Sequence, residues 1–306
     1  RMMGYKSKPP PAGLRLDKRA LALVPINSAV GSLASFYYDI VEGMRAQAEA
    51  LGLVLDVRLV NEDLVTLDFV RRQVSKTGAN GLILAGIDPD EALAQWVLDN
   101  ELALVLANGS DPLMRFSSVC PANFYGAYQA TQHLIDAGHR KILHYTYRHR
   151  PTILQRRRGF EAAVAANPGT EGVVVISNEH TSKDLLASLL DGKYDVTAVF
   201  CWNDSVAVTM VESLLGQDSP MRTGFSIMGF DDLPIAGMAS PRLSTVRVDR
   251  EALGRGVVRL VLGVAEERLV RIERLDLDEP RVLALVRLDE LHAGVERERL
   301  RVIGLV

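Results

Sequence analysis

Cysteine is scarce in this chain. Cys120 and Cys201 are the only two in 306 residues, and neither belongs to a CxxC pair. A disulfide framework is therefore not expected, and a reducing compartment fits. No apolar run approaches the ~18 residues of a membrane span. Charge of one sign is also lacking. The net charge is -3, from 35 basic and 38 acidic residues, so the surface as a whole is not built to grip nucleic acid. The first residues, Arg1 to Pro11, are basic and proline-rich and lack the apolar centre of a secretory signal, which points to the cytoplasm. The six histidines show no metal-ligand spacing such as HExxH. No nucleophile elbow, Walker loop or dinucleotide fingerprint occurs either. No catalytic residue, metal or cofactor is expected. His133 and His139 read as structural, and Cys201 as a small buried hydrophobe inside an apolar strand.

Apolar residues make up 48% of the chain and charged ones 24%, enough to bury the cores of two ordinary domains. Pro9, Pro10 and Pro11 make an extended tether. From Ala20 short apolar runs alternate with segments of helical period. Strands are predicted at Ala20–Val24, Leu53–Leu59, Gly81–Ala85 and Ala103–Ala107, then at Lys141–Tyr145, Val173–Ile176, Thr197–Trp202 and Phe225–Phe230. Between them lie helices, among them Ile40–Leu51 stopped by Gly52, Phe124–Ala137 stopped by Gly138, Ile153–Ala166, Thr181–Leu190 with a capping-box spacing, and Ser205–Leu215. Unbroken apolar strands separated by amphipathic helices indicate parallel sheets covered on both faces. Two such series predict an α/β protein of two similar doubly wound lobes. A ligand cleft would lie where the carboxyl ends of their strands face each other.

Four stretches resemble the LacI/GalR (lactose-repressor) family of transcription regulators. Asp195-Val-Thr-Ala-Val-Phe-Cys-Trp-Asn-Asp204 resembles that family's TAVFAAND segment, and Phe225-Ser-Ile-Met-Gly-Phe-Asp-Asp-Leu-Pro234 its VSVVGFDD segment. Pro241 to Val246 resembles PPLTTV, and His133 to Ile142 resembles HLIELGHRRI. Their order and separations match, and the likeness covers roughly residues 4 to 290. The resemblance implies a periplasmic-binding-protein-type fold, a homodimer and an effector between the lobes that alters affinity for operator DNA. It also implies three crossings between lobes, near Ser117, Val248 and Asp276. The lobes would then be 18–117 with 248–275, and 118–247 with 276–290, leaving 291–306 as a tail of unknown role. Residues 1–17 resemble the end of the family's DNA-binding module and hinge, with Met3-Gly-Tyr5 and Ala12-Gly-Leu-Arg15 as its remnant. The helix-turn-helix would lie before Arg1. The triple proline departs from the family hinge and puts hinge-helix insertion into DNA in doubt. Dimerisation is expected along Ile40 to Leu51.

The resemblance also proposes an effector site. Asp231 would accept hydrogen bonds from effector hydroxyls, against the plainer reading of a turn or cap residue. Asn203 offers donor and acceptor together, against a cap for the helix that follows. Trp202 would stack on a sugar face or simply pack. Arg156 is placed in the cleft, with Arg157 and Arg158 as solvated neighbours. Asn27 follows the first strand, and Phe36 and Tyr37 stand before the first helix as an aromatic pair or a hydrophobic staple. Asn108 ends a strand and reads as a polar contact. Tyr147 lies in a basic loop with Arg148, His149 and Arg150. An anionic effector would explain that loop, although plain solvation is preferred. Val248 and Arg250 depart from the family's usual residues and suggest an effector unlike the familiar sugars. The partners expected are therefore a sugar, sugar acid or sugar phosphate, operator DNA and a second copy of the chain, with no membrane. An exported solute-binding protein shares the fold and is the alternative. A sugar-modifying enzyme would need a converging acid–base set that the sequence does not offer.

Overall fold

The computed structural model describes residues 19–26, 35–147, 150–177, 182–215, 225–267, 283–284 and 299–301. The first sheet is built from β1 (Arg19–Pro25), β2 (Val54–Val60), β3 (Gly81–Ala85), β4 (Ala103–Ala107) and β5 (Ser117–Cys120) in the order β5-β4-β3-β1-β2. The second repeats this with β6 (Lys141–Thr146), β7 (Glu171–Ile176), β8 (Ala198–Cys201), β9 (Ser226–Asp231) and β10 (Ser244–Arg247) in the order β10-β9-β8-β6-β7. All pairings are parallel. Parallel strands need long crossovers, and the helices supply them, covering both faces. β3 and β4 are buried at every residue.

The helices are α1 (Phe36–Leu51), α2 (Leu67–Thr77), α3 (Glu91–Asp99), α4 (Asn123–Asp136), α5 (Pro151–Ala166), α6 (Ser182–Leu190), α7 (Asp204–Leu215), α8 (Pro234–Met238) and α9 (Arg250–Glu267). Local chemistry sets several ends. Gly52 and Gly78 stop α1 and α2 at φ of 63° and 65°, in the left-handed region glycine enters without strain. Thr66 caps α2, and Asp90 caps α3 by accepting from the Leu93 amide at 2.7 Å. The chain returns from β10 so that α9 packs on α1, β3, β4 and β5. That packing is close. A Cβ at Gly254 would stand 2.0 Å from the Ile40 carbonyl oxygen, and one at Gly43 2.2 Å from that of Glu251. α4 and α5 meet the same way, through Gly159 against the Phe124 carbonyl.

Three features differ from expectation. β5 is a strand, which puts the end of the first sheet at Cys120 rather than at 117. Its Ser117-Ser118 start breaks the apolar pattern, but the edge of β4 supplies the pairing. Phe36 and Tyr37 form the first turn of α1 instead of preceding it. Beyond α9, β11 (Leu283–Ala284) pairs with β5 in the first sheet, although 276–290 was expected in the second lobe; an open edge accepts any extended segment. β12 (Arg299–Arg301), in the expected tail, pairs with β10. Thr181, the triple proline, the residues resembling the DNA-binding module and the crossing near Asp276 lie outside the described residues. No helix among the described residues is long and apolar enough to cross a membrane.

Candidate functional site

The carboxyl ends of the two sheets meet. Arg150, just after β6, donates to the carbonyl of Asn108, just after β4, at 2.8 Å, and to the Tyr37 hydroxyl oxygen of α1 at 3.3 Å. Its Nε lies 3.5 Å from Asp88, which follows β3. Tyr37 also accepts from the Asn108 amide at 3.0 Å. It is buried against Gly86, whose φ of 68° and missing Cβ leave room for the phenol. Burial raises the Tyr37 pKa, with Arg150 opposing, so the hydroxyl keeps its proton. Asn108 takes a φ of 50°, a conformation asparagine tolerates better than most residues.

A second cluster is formed by β9, α4, α5 and β8. Asp231 closes β9 and is 5% exposed. Arg156, 2% exposed, donates to its carboxylate at 3.1 Å, to Asn123 at 2.8 Å and to the Trp202 carbonyl. The guanidinium also sits over the Phe230 ring, 3.6 Å from the centroid. Burial raises the Asp231 carboxyl to a pKa of about 6, even though Arg156 and Arg250 pull it down. Burial lowers that of Arg156, against Asp231. Asp231 and Asp232 both have positive φ, 115° and 51°, strain of the kind that concentrates at functional positions. Trp202 packs with Tyr145 and Tyr147 at centroid separations of 4.9 and 6.2 Å.

The structure thus gathers Tyr37, Asn108, Arg156, Trp202 and Asp231 at facing strand ends, with Phe36 edge-on to Tyr37 at 5.2 Å and Tyr147 beside Trp202. Two expected contacts are held by the protein instead. Asn203 accepts from the Val206 amide at 3.0 Å and caps α7. Arg250 pairs with Asp39 of α1 and with the carbonyls of Asp231 and Asp232. A guanidinium at the start of α9 finds a carboxylate and strand-end carbonyls nearer than a ligand. Asn27 lies outside the described residues.

Nothing in the residue pattern singles out Asn123 or Asp39, and Asp204 reads there only as a possible helix cap. Asp204 is buried and accepts from the Leu233 amide at 2.7 Å and from the Thr245 hydroxyl. Burial, and then Asp231, push its carboxyl well up. It ties α7 to α8 and β10 and holds up the site from behind. Arg150 stood in the sequence only as one member of a basic loop. Its approach to Asp88, which follows a strand of the other sheet, was invisible there.

The geometry defines a class: a two-lobed α/β protein whose buried polar and charged side chains converge between facing sheets, as in proteins that close on a small ligand. Residues 131–282 match the family model for a periplasmic binding protein-like domain. The chain is 25% identical over 240 residues to the transcriptional repressor PurR of Aliivibrio fischeri strain MJ11, covering 76% of this chain and 71% of that protein. It is 37% identical over 145 residues to the ribose operon repressor of Haemophilus influenzae, covering 45% of this chain and 43% of that one. Among solved structures, the regulator CelR in complex with cellobiose superposes with a TM-score of 0.71 at 21% identity, over 94% of this chain and 82% of that one. The chain is thus similar to transcription regulators of the LacI/GalR type.

Proposed function

We propose that this chain is the effector-binding and dimerising core of a DNA-binding repressor. A small polar metabolite of sugar type is held between the lobes and shifts their closure. The carrying observation is the buried Arg156–Asp231 pair facing Tyr37 and Asn108 across the junction of the two sheets. Carboxylate, carboxamide and phenol on opposite walls suit a ligand with several hydroxyls. The cellobiose bound to CelR and the ribose operon of the named repressor support the same class of ligand. Effector binding changes DNA affinity only insofar as open and closed forms bind it unequally.

In this reading the protein works in the cytoplasm, serves a repressor that binds operator DNA, and performs no catalysis. A second copy docks on the outer face of α1 and the β2 edge. Tyr38, Leu51, Val54 and Leu59 are exposed there, while Ile40, Val41 and Met44 of the same helix face inward. The family relatives favour this over an exported solute-binding protein.

The test is a thermal-shift panel of sugars, sugar acids, sugar phosphates and nucleosides. A ligand that binds the folded form raises the melting temperature by mass action. The shift should vanish in Asp231→Ala. A panel without any hit, or a hit indifferent to Asp231, would remove the effector site from this cleft.

A further inference from the structure

Three arginines stand at the junction of the lobes, and they are not equally neutralised. Arg156 is paired with Asp231 at 3.1 Å and Arg250 with Asp39 at 2.6 Å. Among the described residues Arg150 has its ion-pair contact with Asp88, at the longer distance of 3.5 Å. Its Nε is buried and makes no hydrogen bond, and its remaining bonds go to a phenol and a backbone carbonyl, both neutral. A partly buried guanidinium paired at so long a distance leaves charge for a further anion to offset.

Its surroundings point the same way. Arg150 is the N-cap of α5, a 16-residue helix with no side-chain cap and no acidic residue in its first turn. That helix N-terminus carries an unopposed partial positive charge. Two nearby side chains, buried beyond nine-tenths, hold polar atoms with no partner: Asn108 Oδ1 after β4 and Thr146 Oγ1 at the end of β6. Buried polar atoms are rarely left so unless something else satisfies them. Tyr37 accepts two hydrogen bonds and has its own O–H left to donate.

We infer that the metabolite bound between the lobes carries a carboxylate or phosphate that seats against Arg150 and the Tyr37 hydroxyl, while one of its hydroxyls donates to Asn108 Oδ1. This rests on the cleft being the effector site. Arg150 is thereby the residue that selects a charged sugar over its neutral parent. A fork of N–H donors grips two oxygens of such a group at once.

The test titrates the full chain calorimetrically with matched sets: glucose, gluconate and glucose 6-phosphate, then ribose, ribonate and ribose 5-phosphate. A charged member should bind at least tenfold more tightly than its neutral parent, and rising salt should weaken it. Arg150→Gln should erase that preference, Tyr37→Phe should reduce it, and Arg150→Lys should keep part of it. Lysine tests the charge even if glutamine disturbs folding. The acid and phosphate arms tell carboxylate from phosphate. Equal binding of neutral and charged members, no binding by any charged member, or indifference to Arg150 would each overturn the inference. A neutral sugar lost in Asp231→Asn but kept in Arg150→Gln would overturn it alone and leave the effector cleft standing. If nothing in either set binds, both fall together.

Discussion

Arg250 and Asp39 pair within the first lobe: the guanidinium donates to one carboxylate oxygen at 2.9 and 2.6 Å. The same guanidinium donates to the Asp231 carbonyl at 2.5 Å, so α1 is tied to the end of β9. Arg250→Met keeps the apolar stem and removes the charge. We expect a loss of about 2–3 kcal/mol in denaturant unfolding, below the ~3–5 kcal/mol of fully buried pairs because Asp39 is partly exposed. The radius of gyration in solution should increase as the lobes part. An unchanged midpoint and radius would show that this link does not hold them.

Much of this architecture can be read in the sequence, and the reason differs by element. β3 and β4 are legible because a strand covered on both faces is an unbroken apolar run between turn residues. β5 is not, since Ser117 and Ser118 give no pattern and only the neighbouring edge makes them a strand. At the site, Asp231 and Arg156 could be named singly, from a strand end and a family motif. Their pairing across 75 residues could not. Asn203 left two readings open, and the bond it accepts from the Val206 amide supplies the cap. Arg250 stands at a position where the resembled family has a ligand contact, and its pairing with Asp39, 211 residues away, is not visible in the sequence. Periodicity reports which face is buried and says nothing of which distant charge a side chain will meet.

The Arg156–Asp231 pair should behave as a unit. Arg156→Met alone leaves a buried carboxylate uncompensated, and about 3–5 kcal/mol of stability should be lost. Adding Asp231→Leu removes the stranded charge, so the double variant should be more stable than Arg156→Met alone. Denaturant unfolding of the three variants measures the coupling. Additive losses would mean that the two groups do not depend on each other.

Two glycines of α9 should respond to alanine in opposite ways. At Gly254 the new methyl would stand 2.0 Å from the Ile40 carbonyl oxygen and 2.7 Å from the Met44 amide nitrogen, backbone atoms that cannot step aside. α1 and α9 must separate, and a loss of about 3 kcal/mol is expected. At Gly263 nothing lies within 4 Å, so alanine adds helix propensity without a clash. A gain of about 0.5–1 kcal/mol should follow. Similar effects at both positions in thermal unfolding would contradict the close packing of these helices.

His144 should make the protein sensitive to mild acid. It lies fully buried in β6, stacked on Phe200 at 4.8 Å and near Phe160 at 5.2 Å. Nδ1 is 2.9 Å from the Phe200 carbonyl, so that nitrogen carries the proton of the neutral ring. Burial pushes the pKa down to about 3, whereas the unfolded chain titrates near ~6.5. Between these values the unfolded form binds a proton that the folded form does not. Stability from this group therefore rises with pH from about 3 to ~6.5 and is level above. Asp231 works in reverse. Its folded pKa of about 6 exceeds the unfolded ~3.9, so its contribution falls as pH rises between them. Asp204, also raised by burial, acts in the same sense as Asp231. Both carboxyls remain in His144→Phe, so comparison with the unsubstituted protein isolates the imidazole. The variant loses the bond to the Phe200 carbonyl and should be less stable at pH 7. From pH 7 to pH 5, however, it should lose about 2 kcal/mol less than the unsubstituted protein does. Denaturant midpoints at pH 5, 6 and 7 give this difference directly. Parallel curves for the two proteins would mean that His144 titrates in the fold as it does in the unfolded chain, and its place between two phenyl rings would then need another explanation.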